Sequence, residues 1–114
     1  MQRLWRDLCA AQDATLTAYS PLAHGEVPKD PALKEIGEAH GKSAGQVALR
    51  WLLDQPQVCV LPKASSHERR AENAAVLDFE LSDAERGRVA DLERGLRTAD
   101  PSFAPDWDNP SRAA

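Results

Sequence analysis

Val58-Cys59-Val60-Leu61-Pro62-Lys63-Ala64-Ser65-Ser66-His67-Glu68-Arg69-Arg70-Ala71-Glu72-Asn73 is the stretch whose reading decides the fold. Its first four residues form a continuous apolar run of strand length, the pattern of a parallel strand covered on both faces. Pro62 ends the run, and a helix is predicted to start at Ser65 or Ser66 and to reach about Asn73. A strand that passes through a short polar turn into a helix is half of a β/α unit. The turn also carries chemistry. A helix start has unpaired backbone N–H groups and a partial positive charge, so it suits a phosphate. Lys63 before it and Arg69 in its first turn add two fixed cations. Arg can grip a phosphate with two parallel hydrogen bonds, which Lys cannot.

The flanking sequence supplies the rest of the unit. Upstream, Ser43-Ala44-Gly45-Gln46 is a capping box that opens a helix running to about Asp54, with Pro56 beyond its end. Val47, Leu49, Trp51, Leu52 and Leu53 make that helix broadly apolar, so it is expected to be well buried, with Trp51 in the core. Asp30-Pro31 is an N-cap with a first-turn proline, Gly41 follows the last turn, and Leu33, Ile36 and His40 mark one face between them. Residues 15–19 are β-branched and apolar, bounded by Asp13 and by Ser20-Pro21, and read as a short strand. Leu4, Trp5 and Leu8 recur at helical spacing within residues 2–11. Downstream, Ser82-Asp83-Ala84-Glu85 is a second capping box, with Val89, Leu92 and Leu96 on the apolar face of its helix. Residues 1–97 read as one structured segment and residues 98–114, rich in Pro, Asp and Ser, as a tail or loop.

Composition narrows the function classes. The 114 residues carry a formal net charge of −4, unlike the basic excess of a phosphodiester binder. No run of about 18 apolar residues is present, so no membrane span is expected, and the charged opening Met1-Gln2-Arg3-Leu4 is not a secretory signal. Cys9 and Cys59 have no metal-type spacing and are expected to be reduced, buried thiols. A cytoplasmic location is expected. His24 falls in a turn, His40 at a helix end where a cation suits the dipole, and His67 in a first turn where it does not. All three are expected to be surface residues, and no metal site is expected.

Six blocks in register carry a resemblance: Ala18-Tyr19-Ser20-Pro21-Leu22, Gln46-Val47-Ala48-Leu49-Arg50-Trp51, Pro62-Lys63, Arg69 with Glu72-Asn73, Asp78-Phe79-Glu80-Leu81-Ser82, and Ala104-Pro105-Asp106-Trp107-Asp108. Together they resemble the C-terminal part of the aldo-keto reductase family across nearly the whole chain. The closing block is most similar to bacterial members such as the diketogluconate reductase group. The resemblance implies an α/β fold: the C-terminal part of a (β/α)8 TIM barrel, with strands seven and eight and their helices. Two parallel strands cannot form a covered sheet alone, and a full barrel needs about 250 residues. The chain is therefore expected to be a fragment or truncated product that begins mid-barrel.

The resemblance also implies roles. Tyr19 matches the tyrosine that stacks on the nicotinamide of NADP. Ser20 and the backbone at Leu22 match contacts to the pyrophosphate, although Ser20-Pro21 is equally a plain turn signal. Lys63 and Arg69 match the partners of the 2′-phosphate, and Glu72 and Asn73 match residues at the adenine's amino edge. The alternative for this cluster is a capped, solvated helix start. One departure stands out: the residue after Lys63 is often Ser in the family, and here it is Ala64. Ser65 or Ser66 could supply the missing hydroxyl; without it the site loses about 0.5–1.5 kcal/mol. Trp107 reads either as part of the family's substrate-lining tail or as a loose surface aromatic.

The family reduces aldehydes and ketones with NADPH, and its tyrosine acid with supporting Lys, Asp and His lies upstream of the matched stretch. Tyr19 is the chain's one tyrosine and matches the stacking position, so no catalytic residue is assigned. The expectation is an NADP adenosine-2′-phosphate site without its catalytic tetrad. A carbonyl substrate would be used only with the missing half supplied. The alternative is a non-catalytic NADP-binding or interaction module, assembling through exposed barrel edges as a homo-oligomer or complementing fragment.

Overall fold

The structure, a computed structural model, describes residues 3–92. In chain order these are α1 (Arg3–Ala11), β1 (Leu16–Tyr19), two short 3-10 turns (Ala23–Gly25 and Val27–Lys29), α2 (Pro31–His40), α3 (Ala44–Leu53), β2 (Val58–Leu61), α4 (His67–Ala74) and α5 (Asp83–Ala90). Leu96, Trp107 and the expected boundary between segment and tail lie outside the described residues.

The helix ends follow from local chemistry. Asp30 accepts from the N–H groups of Ala32 and Leu33 at the start of α2, with Pro31 in the first turn. At its end Gly41 takes φ +66; its N–H donates to Glu38 O, and Lys42 N–H donates to Gly37 O. That is a Schellman closure, whose left-handed residue favours glycine. Ser43 and Gln46 form a reciprocal capping box on α3, and Ser82 and Glu85 form another on α5.

The strands pair parallel in one two-stranded sheet, with Leu16 opposite Val58 and Tyr19 opposite Leu61. The core lies on one side of it. Leu33 and Ile36 of α2 meet Ala44, Val47 and Ala48 of α3 and Leu81 before α5, with Leu22, Val27, Trp51, Phe79 and Val89 packed around them. Trp51 is half-buried at the margin of this core and donates its indole N–H to Arg86 O at 3.3 Å.

Three expectations are corrected. β2 is covered on one face, not both: in each strand half-buried residues alternate with exposed ones, and Thr17, Tyr19, Cys59 and Leu61 are exposed together. The register sets these four on one face, and α3 packs against β2 on the other side. For the same reason Cys59 is not a buried thiol, and Cys9 is only half-buried. His40 is not a free surface residue. Its Nε2 lies 3.0 Å from both carboxylate oxygens of Glu85, and its ring is 5.4 Å from that of Phe79. An ionised carboxylate only accepts, so Nε2 carries the proton. No helix among the described residues is long and apolar enough to cross a membrane.

Candidate functional site

Because β1 and β2 run parallel and end in register at Tyr19 and Leu61, the chain leaves both strands at the same end of the sheet. The segments that follow, Ser20-Pro21-Leu22 and residues 62–66, therefore emerge side by side. In open α/β sheets this carboxyl end is where ligands sit.

On the β1 side, Tyr19 is 68% exposed at the open face. The chain then winds tightly. Ser20, Ala23 and His24 all take positive φ (49, 47 and 53) without glycine's freedom. Ala23 N–H donates to Ser20 O at 3.0 Å, closing the turn. Leu22 packs into the core, where its methyl carbons would lie 3.7 Å and 3.9 Å from a Cβ placed on Gly45. What Leu22 offers a ligand is thus main chain, and Ser20 is half-buried beside it.

On the β2 side, the Ser66 Oγ accepts from Arg69 N–H at 3.2 Å and caps α4. Its hydroxyl proton stays free to donate, and the Ser65 hydroxyl has no partner among the described residues. Arg70 bonds back to Ser65 O at 3.3 Å. The charged ends of Lys63 and Arg69 are exposed, and neither has a hydrogen-bond or ion-pair partner among the described residues. The structure thus brings Lys63, Ser65, Ser66 and Arg69 together around the start of α4, next to the turn after Tyr19.

Glu72 and Asn73 follow one turn on and are half-buried. The Asn73 side chain has no partner among the described residues, whereas Glu72 is held. The Ser43 hydroxyl donates to its carboxylate at 2.6 Å. Gln46, only 8% exposed, donates its amide N–H groups to Glu72 O (2.9 Å) and Ala75 O (3.2 Å). Lys42 reaches Ala75 O at 3.1 Å and Arg50 reaches Val76 O at 3.4 Å. Sequence reading found Ser43 and Gln46 as a helix start and missed that the same box grips α4. The signal available was a buried-side Gln at N3, whose amide has donors to spare.

Lys42 also pairs with Asp78 at 2.7 Å, and that bond holds the Asp78 carboxyl below its ordinary range. Glu85 is held low chiefly by the Ser82 backbone N–H and then by His40. Both lie outside the cluster at the strand mouth. A cleft of about 170 Å³, lined by Arg6, Val27, Leu33, Trp51, Val89 and Leu92 among others, contains none of the nine expected cofactor contacts. Of those nine, Tyr19, Lys63, Ser65, Ser66 and Arg69 are exposed and the others half-buried.

Known proteins are similar to this chain in sequence and fold. The aldo/keto reductase family model matches residues 2–94. The chain is 34% identical over 117 aligned positions to an NAD(P)H-dependent 6'-deoxychalcone synthase of Glycine max, covering 95% of this chain and 37% of that protein. Among solved structures, a protein assigned as a 2,5-diketo-D-gluconic acid reductase B superposes with a TM-score of 0.89 at 42% identity, over 96% of this chain and 40% of its own. A Gox0644 variant in complex with NADPH superposes with a TM-score of 0.82 at 31% identity, over 92% and 39%. The chain thus spans about two-fifths of the length of the relatives it matches.

Proposed function

The chain belongs to the aldo/keto reductase family, and on that premise we propose that it is the C-terminal part of the (β/α)8 barrel, with β1 and β2 as strands seven and eight, and that it docks the adenosine-2′-phosphate end of NADP. The observation that carries the reading is the pair of cations, Lys63 and Arg69, without partners among the described residues, beside the capped start of α4 at the carboxyl end of the sheet. Their chemistry fits a phosphate dianion, with free N–H groups of the first helical turn adding donors. In this reading the Ser65 or Ser66 hydroxyl replaces the donor missing at Ala64. The Ser43 hydroxyl holds the Glu72 carboxylate at the start of α3.

The roles divide along the mouth. Tyr19 offers an exposed ring face for the nicotinamide. Main chain around Ser20 and Leu22 borders the pyrophosphate path, in the turn where strained backbone is concentrated, as is common at ligand sites. Arg69 and Asn73 border the adenosine. Bound NADPH would supply a hydride to a carbonyl carbon in the whole protein, which by family is an oxidoreductase acting on aldehydes or ketones. This chain supplies binding and orientation. Relatives whose names or structures include NAD(P)H support the cofactor class.

A second reading is favoured by the open sheet face. Thr17, Tyr19, Cys59 and Leu61 are exposed there, and the sheet has two unpaired edges among the described residues. Such edges invite strand pairing, so the chain could act as a non-catalytic NADP-binding module that assembles with a complementing barrel segment or a second copy.

Titration of the chain with NADPH and with NADH tests the first reading. Binding that favours NADPH is expected; equal affinity for the two overturns it.

A further inference from the structure

Helix α4 carries the candidate adenosine contacts, yet none of its eight residues is buried. Its own residues are held chiefly by polar contacts from the start of α3, while just past its end Lys42 bonds Ala75 O and Val76 is buried. Gln46 is buried at 8% exposure, and each hydrogen-bonding group of its amide is used: Oε1 accepts from Ser43 N–H at 3.0 Å, and Nε2 donates to Glu72 O and to Ala75 O. Ser43 Oγ accepts from Gln46 N–H at 3.2 Å and donates to the Glu72 carboxylate at 2.6 Å. Glu72 is gripped at both its main chain and its side chain by two residues of another helix. The carbonyls that Gln46 takes lie at the end of α4, where Glu72 O also accepts from the Ala75 N–H at 3.1 Å, so the amide adds a second donor to it and joins the end of α4 to α3.

We infer that Ser43 and Gln46 are positioning residues for the adenosine end of the cofactor, a polar clasp that sets the orientation of α4 and so the direction in which Arg69 and Asn73 point. The inference rests on the NADP-docking reading above. A bond from an adjacent helix lets one buried amide govern contacts it never touches. A ligand held by side chains on α4 gains from that fixing because the helix need not be ordered on binding.

Calorimetric titration with adenosine 2′,5′-bisphosphate, paired with amide hydrogen exchange over residues 70–75, tests this on five proteins: the parent chain, Gln46→Met, Ser43→Gly, Ile36→Ala and Lys63→Ala. Gln46→Met keeps volume and removes the donors. Ser43→Gly removes the hydroxyl that holds Glu72, and glycine is tolerated at an N-cap. Ile36→Ala empties core space under α2 and controls for general loosening. The expected result is affinity weakened about tenfold in both clasp variants, with faster exchange in α4, while Ile36→Ala lowers the melting temperature and leaves affinity unchanged. Should Gln46→Met not fold, Ser43→Gly decides. The inference is overturned alone if the parent binds and Lys63→Ala weakens it, yet the clasp variants bind like the parent or Ile36→Ala weakens binding as much as they do. No binding by the parent overturns both the inference and the reading beneath it.

Discussion

Tyr19 and Leu61 face each other as the last register pair of a parallel sheet. That one pairing brings two segments 42 residues apart in sequence to a common exit, since 61 minus 19 is 42. The turn after Tyr19 and the cationic start of α4 therefore form one surface.

The core beneath the site should tolerate little loss. Leu49 is 2% exposed on α3, and Leu49→Ala is expected to cost about 2–5 kcal/mol. Denaturant unfolding of the two proteins checks this, and a loss within error of zero would mean that the α3 core is not formed.

Gly37 is a position where size alone is decisive. A Cβ there would run into the backbone carbonyl of Lys42 in the closure after α2. Gly37→Ala is expected to destabilise by about 1–3 kcal/mol, in spite of alanine's better helix propensity. A melting temperature equal to or above the parent's would contradict the close approach.

Glu85 gives a pH dependence with a fixed sign. Its carboxyl is lowered in the folded chain by the Ser82 N–H and by His40, so its contribution is present above the ordinary carboxylate value of 4.5 and fades as pH falls through the lower folded value. Glu85→Gln keeps an oxygen acceptor for the cap and removes the charge. It should be less stable than the parent at neutral pH, with the gap closing on acidification. A gap that widens on acidification would reverse the assignment.

The caps were legible because each is local. Asp30-Pro31, Gly41 and the boxes at Ser43 and Ser82 are written within four residues, and the structure keeps all of them. The strands were also legible as short apolar runs between turn signals. Cys59 was misread because the apolar run Val58–Leu61 does not say how many layers cover it. The Ser43–Glu72 and His40–Glu85 bonds span 29 and 45 residues, and no periodicity encodes a contact at that range. The cations of the site were visible as residue types; that they lack partners among the described residues was not, because ion pairing is decided by packing.

The open face gives a chemical prediction. Cys59 is exposed and Cys9 half-buried, so a thiol reagent should modify Cys59 first. If the face pairs with a complementing segment, Cys59 becomes protected in the complex. Modification unaffected by complex formation would remove the second reading.

Turnover tests the division of roles. The isolated chain is expected to show no measurable carbonyl reduction with NADPH, since Tyr19 is its one tyrosine and is proposed for the stacking role. Reduction that survives purification and is lost in Tyr19→Phe would instead make Tyr19 the acid.

The most direct measurement is the ratio of NADPH to NADH affinity in the parent and in the Lys63→Ala/Arg69→Ala double variant. Two charge-assisted bonds at about 1.5–3 kcal/mol each predict that NADPH binding falls by about a hundredfold or more while NADH binding changes little. An unchanged ratio would contradict the account, because the two cations would then not be holding the 2′-phosphate.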